Sequence, residues 1–210
     1  FELAKKIFEK TKSDQSFSDM CCGPTGAACK AKLLQTKFEV VADYNSQNQL
    51  GRYLPATHSI QFAEGILLRQ TSLQQLEYII THELGHACQF SKHKNGETLL
   101  QISEFRIMEE NSLRDIESIF GSETKNCIEN AVKKEAQIFN KAGGKIQSMG
   151  SWYRETFADL MAATKMTRYL HWQVACNTSS DDMHPGLPSY MHCLMNRFPL
   201  KNHFCPTLNK

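Results

Sequence analysis

The sequence has no apolar run that approaches membrane-spanning length, so no membrane span is expected. Its lysines and arginines form no cluster and the net charge is only +2, which gives no electrostatic footprint for nucleic acid. No Cys-x-x-Cys pair occurs among the eight cysteines, and Cys21 and Cys22 are adjacent, a spacing unsuited to a structural zinc site. No internal repeat or low-complexity stretch is visible, which excludes solenoid architectures and compositional linkers. No signal-like segment is present either. A chain opening on Phe1 rather than Met is expected to be a processed or trimmed form, with any targeting sequence outside it.

What is present describes an ordinary globular chain. With 210 residues, 41% of them hydrophobic and 22% charged, the length suits one domain with a proper core. An even number of cysteines in a chain of this size fits disulfides formed in an oxidising compartment, so a secreted or periplasmic location is expected. Their connectivity is left open, except that the Cys21-Cys22-Gly23-Pro24 loop is expected to tie down a cysteine-rich N-terminal segment, 1–36.

Periodicity predicts a helix over Phe1 to Thr11, a turn-rich loop from Asp14 to Lys30, and a strand over Lys37 to Tyr44. A polar turn follows at Asn45 to Leu50, then a second strand around His58 to Phe62. After a polar loop at Ser91 to Glu97, helices are expected at Leu99 to Ile107, at Ser112 to Phe120 (ending on Gly121) and at Glu123 to Asn140.

The chain is organised around Thr71 to Phe90, an amphipathic helix with Leu73, Leu76, Ile80, Leu84 and Ala87 at helical spacing. Ser72 and Gln75 form a candidate capping box at its start. The helix carries His82-Glu83-Leu84-Gly85-His86, an H-E-x-x-H. Two histidines four apart lie on one helix face, close enough to grip one metal ion, and Glu83 can reach a water activated by that ion as general base. This segment resembles the zinc helix of the zincin metallopeptidases.

A catalytic zinc needs a third protein ligand. The metzincin completion fails, because Gln89 stands at its glycine, Lys92 at its third histidine, and His93 is one residue out of register. A second helix, Ser151 to Leu170 with Ser151 as a candidate N-cap, carries Glu155 and Asp159 four apart. Glu155-Thr156-Phe157-Ala158-Asp159 resembles the E-x-x-x-D element of the gluzincins. That resemblance implies Glu155 as third zinc ligand and Asp159 as the carboxylate that orients a ligating histidine. Glu104 is the weaker alternative, with Met108 where the aspartate would stand. Ala158, Ala162 and Ala163, with Gly85 and Ala87, would let the two helices approach closely.

The resemblance covers the two motif helices and the strand before them. It implies an α+β, zincin-like fold, mostly helical, in which one domain spans 1–210. Its small sheet would have an edge strand, His58 to Phe62, preceding the H-E-x-x-H helix and open to an extended substrate. The implied function is a zinc-dependent metallopeptidase (a Zn2+ metalloendopeptidase) acting on a peptide or protein substrate, with Glu83 as general base. An oxyanion donor is sought in His184, Tyr190 or Arg197, with Tyr153 and Arg154 as lesser candidates. His184-Pro185 resembles the H-P element of some small gluzincins, whose arginine is replaced here by Tyr190. Two other functions stay open: an inert zincin-scaffold binding or inhibitory module, and a zinc amidase acting on cell-wall peptides. The methionines of the C-terminal third are taken as core filler, and His171, His192 and His203 as core or surface residues. The oligomeric state is left undetermined.

Overall fold

The computed structural model describes residues 1–42, 51–64, 73–93, 101–141 and 149–167. Seven helices and three strands are described: α1 (Glu2–Ser13), α2 (Gln15–Cys22), α3 (Ala27–Leu34), β1 (Lys37–Val41), β2 (Gly51–Leu54), β3 (Ser59–Ala63), α4 (Leu73–His93), α5 (Gln101–Phe120), α6 (Ser122–Lys141) and α7 (Met149–Thr167). The fold is therefore α+β and mostly helical, with a small three-stranded sheet. No helix among the described residues is long and apolar enough to cross a membrane.

Helix α4 is the hub, meeting α1, α2, α3, α5, α7 and β2. Most of the hydrophobic face read from its periodicity is buried: Ile80, Leu84, Ala87 and Cys88 are fully inaccessible and Leu76 nearly so, whereas Leu73 at the helix start is exposed. Each such Leu or Ile contributes roughly 2 kcal/mol on burial. Helix α7 answers with Phe157, Ala158, Leu160, Met161 and Ala162, all fully buried. The two helices touch closely at Gly85. A Cβ there would stand 2.8 Å from Ala158 Cα, so only glycine permits this approach.

Several sequence expectations about helices are corrected. Asp14 to Lys30 is not a loop but two short helices around a turn at 23–26. Asp14 caps α2 by accepting from the Phe17 N–H at 3.0 Å, and Gly23, at φ 75°, ends it. The separate helices expected at Leu99–Ile107 and Ser112–Phe120 are, from Gln101 on, one helix, α5. No glycine or proline interrupts Met108 to Ser112, and Ser112 Oγ bonds back to the Met108 carbonyl at 2.6 Å within the continuous turn. Ser151 lies inside α7, which starts at Met149, so it is no N-cap. Ser72, the turn at Asn45 to Leu50 and residues 94–97 of the expected Ser91–Glu97 loop lie outside the described residues, and Ser91–His93 are not loop but the last turn of α4.

The sheet order is β1-β3-β2, with β1 parallel and β2 antiparallel to β3. The segment expected at the edge, His58 to Phe62, thus falls on the central strand. Among the described residues the sheet edge beside α4 belongs to β2, a four-residue strand too short to announce itself by alternation. Register is held by a polar ladder. Gln61 donates to Glu39 Oε2 at 2.8 Å and accepts from Arg52 Nε and Nη2 at 3.1 and 2.9 Å. His58 closes the β2–β3 turn at φ 50°, an unusual conformation for a residue with a side chain. Its ring is held by the Lys32 carbonyl at 2.8 Å and the Tyr53 hydroxyl at 2.6 Å.

Two disulfides staple the N-terminal helices. Cys22–Cys29 bridges α2 to α3, and Cys21–Cys88 fastens α2 to the middle of α4. The expectation that the Cys21-Cys22 region ties down the N-terminal segment is met by both bonds.

Candidate metal centre

The H-E-x-x-H lies within α4, and its periodicity orients the site. Leu84 and Ala87 point into the core, while His82 and His86, one turn apart, share the face turned towards α7. Their rings meet edge to face at 4.9 Å between centroids. Because Gly85 lets α7 approach, Glu155 and Asp159 reach that face. Glu155 Oε2 stands 3.3 Å from His82 Nε2 and 3.3 Å from His86 Nε2.

Those equal distances are informative. A charge-assisted hydrogen bond between imidazolium and carboxylate would close to about 2.7–2.9 Å. Asp159 Oδ1 does so, at 2.8 Å from His82 Nδ1. Ligand atoms around a tetrahedral zinc, with bonds of about 2.0–2.1 Å, stand about 3.3–3.4 Å apart. The two Glu155–histidine distances match that spacing, and the atoms offered by His82, His86 and Glu155 all lie within 4.8 Å of one another, a group that could hold a metal ion. The expected ligand set is therefore brought together by the fold.

The surroundings shape each ligand. Asp159 Oδ1, 2.8 Å from His82 Nδ1, accepts from that nitrogen and turns Nε2 towards Glu155. His86 differs, since its Nδ1 has no hydrogen-bond partner among the described residues. Arg154 donates to Glu155 Oε1 through Nε at 3.2 Å and Nη2 at 2.8 Å, leaving Oε2 to the histidines. Burial would lift the Glu155 carboxyl, but the charges of His86 and His82 and their hydrogen bonds hold it well below the usual range. Burial would likewise lower the His82 imidazole, but Asp159, with Glu155 and Glu83, raises it well above its ordinary value.

Glu83 is buried on α4 beside this group. Burial raises its carboxyl above the usual range. The His82 and His86 charges offset part of that rise, Glu155 adds to it, and a hydrogen bond from the Tyr53 backbone on β2 lowers it again. Sequence reasoning did not anticipate the Tyr53 contact, because it depends on β2 lying beside α4. A more basic carboxylate, held by the sheet edge next to the ligands, can act as a proton acceptor.

The remaining candidates fare differently. Tyr153 is buried near the Glu129 and Lys133 charges of α6, and Arg154 is engaged with Glu155. His93, out of register for a third histidine, pairs instead with buried Asp115 at 2.8 Å. His184, Tyr190 and Arg197 lie outside the described residues, as do His171, His192, His203 and the side chain of Glu104. Cys21, Cys22 and Cys29 also bring three sulfurs together, but all are disulfide-bonded and offer no thiolate.

Comparison with family models, curated protein sequences and solved structures finds no match. The chemistry of the centre must therefore be read from its own atoms. Two imidazoles and one carboxylate oxygen converge, a buried carboxylate stands beside them, and a second carboxylate orients one imidazole.

Proposed function

We propose that this chain is a zinc-dependent metallopeptidase of gluzincin type, held to a zincin-like plan by α4 and α7. The observation that carries the reading is that Glu155 Oε2 stands 3.3 Å from both histidine Nε2 atoms, a separation that zinc ligands share. His82, His86 and Glu155 would hold the ion. Bound there, zinc supplies Lewis acidity to the scissile carbonyl and brings a water towards a neutral pKa.

The chain's own residues do the rest. Glu83 takes a proton from the attacking water on its carboxylate and hands it to the departing amine nitrogen. Burial beside β2 supports this role by raising its basicity. Asp159 keeps the His82 ring oriented. Among the described residues β2, rather than β3, is the edge strand beside α4 with which an extended peptide would pair through main-chain bonds. His184 and Tyr190 stay the candidates for stabilising the oxyanion on sequence grounds. The disulfides at Cys21–Cys88 and Cys22–Cys29 support a secreted or periplasmic setting.

The test joins metal analysis to a peptide-library cleavage profile. One zinc per chain is expected, and Glu83→Gln should keep the zinc and the fold while cleavage falls by about 10²–10⁴-fold. Full cleavage by that variant would sink the mechanism. A zinc-loaded wild type inert on broad libraries would point to a binding module, and cleavage confined to cell-wall peptides would point to an amidase.

A further inference from the structure

Helix α4 carries a second side chain directed at the same carboxylate as His82. Tyr78 sits four residues before His82, one turn earlier on the same face, with ring centroids 6.4 Å apart. Its hydroxyl donates to Asp159 Oδ1 at 2.8 Å, the same oxygen that accepts from His82 Nδ1 at 2.8 Å. Both donors come from one rigid helix and both lone pairs of one oxygen are used. An aspartate's terminal torsion is broad and roughly two-fold, so a carboxylate held by one donor can swing on its own stem. Held by two donors a turn apart, it cannot rotate without losing both bonds.

We propose that Tyr78 is a positioning residue of the metal centre, its hydroxyl locking Asp159 in the orientation that aims His82 Nε2 at the ion. The proposal rests on the zinc site proposed above. It extends the chain of contacts one step outward, from Tyr78 through Asp159 to His82. Loss of a direct orienting partner of a ligand typically costs 10–100-fold in metal affinity. Tyr78 acts through such a partner, so about tenfold is the effect to look for.

The experiment measures zinc dissociation constants by chelator competition for wild type, Tyr78→Phe, Asp159→Ala and the double variant. Visible spectra of the cobalt(II)-substituted proteins are recorded alongside. Tyr78→Phe removes one oxygen and keeps the ring, so its melting temperature without metal should fall by no more than a few degrees. Its zinc constant should weaken about tenfold and its cobalt bands should change. In the Asp159→Ala background the same substitution should change the zinc constant by less than about twofold, because the acceptor through which Tyr78 acts is gone. Tight, stoichiometric binding by wild type with an unaltered constant and spectrum in Tyr78→Phe overturns the role of Tyr78 and leaves the zinc site standing. Multiplicative effects in the double variant overturn it equally, since Tyr78 would then act by another route. A wild type that binds neither metal overturns the zinc site and this proposal together.

Discussion

Gly85→Ala separates the demands of the metal centre from those of the fold. A Cβ at position 85 would stand 2.8 Å from Ala158 Cα and 3.3 Å from its Cβ and carbonyl oxygen. Comfortable carbon contacts begin near 3.5–4.0 Å, so the overlap is about 1 Å, and it falls on backbone that cannot rotate away. The stability terms nearly offset. Alanine gains about 1 kcal/mol of helix propensity, and overpacking costs about 1–3 kcal/mol, which leaves a net loss of at most about 2 kcal/mol. The site has no such compensation. Ala158 lies between Glu155 and Asp159 on α7, so a shift of about 1 Å moves both against His82 and His86, while ligand distances tolerate only about 0.2 Å. Zinc affinity should therefore fall about 100-fold, the upper end of what losing an outer partner produces. At fixed zinc, that removes about 2.7 kcal/mol of metal-linked stabilisation. The assay is chelator competition, with thermal melts run in zinc and in a chelator. A variant that binds zinc within about threefold of wild type would refute the reasoning, because the helices would then not need this close approach to assemble the site.

Removing Cys21–Cys88 by a double serine substitution should destabilise the protein by about 4 kcal/mol in the chain-entropy estimate, since it closes a 67-residue separation. Removing Cys22–Cys29, separated by seven residues, should cost about 2 kcal/mol; denaturant titrations giving the reverse order would contradict this. Asp115 is buried and accepts from His93 at 2.8 Å, Lys92 at 3.0 Å and Gln89 at 3.3 Å. Asp115→Ala removes the carboxylate that His93 and Lys92 pair with, while Gln89 keeps the Met108 carbonyl and Ser112 Oγ, and should cost about 2–3 kcal/mol in denaturant unfolding. Burial would raise the Asp115 carboxyl, but His93 and Lys92 hold it below its ordinary value. Its contribution is then full above about pH 4 and lost as pH falls through the lower native value. The stability gap between wild type and Asp115→Asn should accordingly shrink in acid, and a gap that widens there would be inconsistent with the pairing.

Much of this protein is legible in the sequence, because a helix is specified within a few turns of itself. The periodicity of Leu76, Ile80, Leu84 and Ala87 placed α4, and four-residue spacing put His82 with His86, and Glu155 with Asp159, on shared faces. The small residues Gly85 and Ala158 signalled that two such helices can meet. Tertiary structure decided what depends on segments distant in the chain. It put β2 rather than β3 at the edge beside α4, paired Cys21 with Cys88, and turned Tyr78 onto Asp159. It also set the 3.3 Å distance of Glu155 Oε2 from each histidine Nε2. Spacing along a helix tells which side chains share a face. Only the packing of α7 against α4 tells how far apart the atoms on those faces stand.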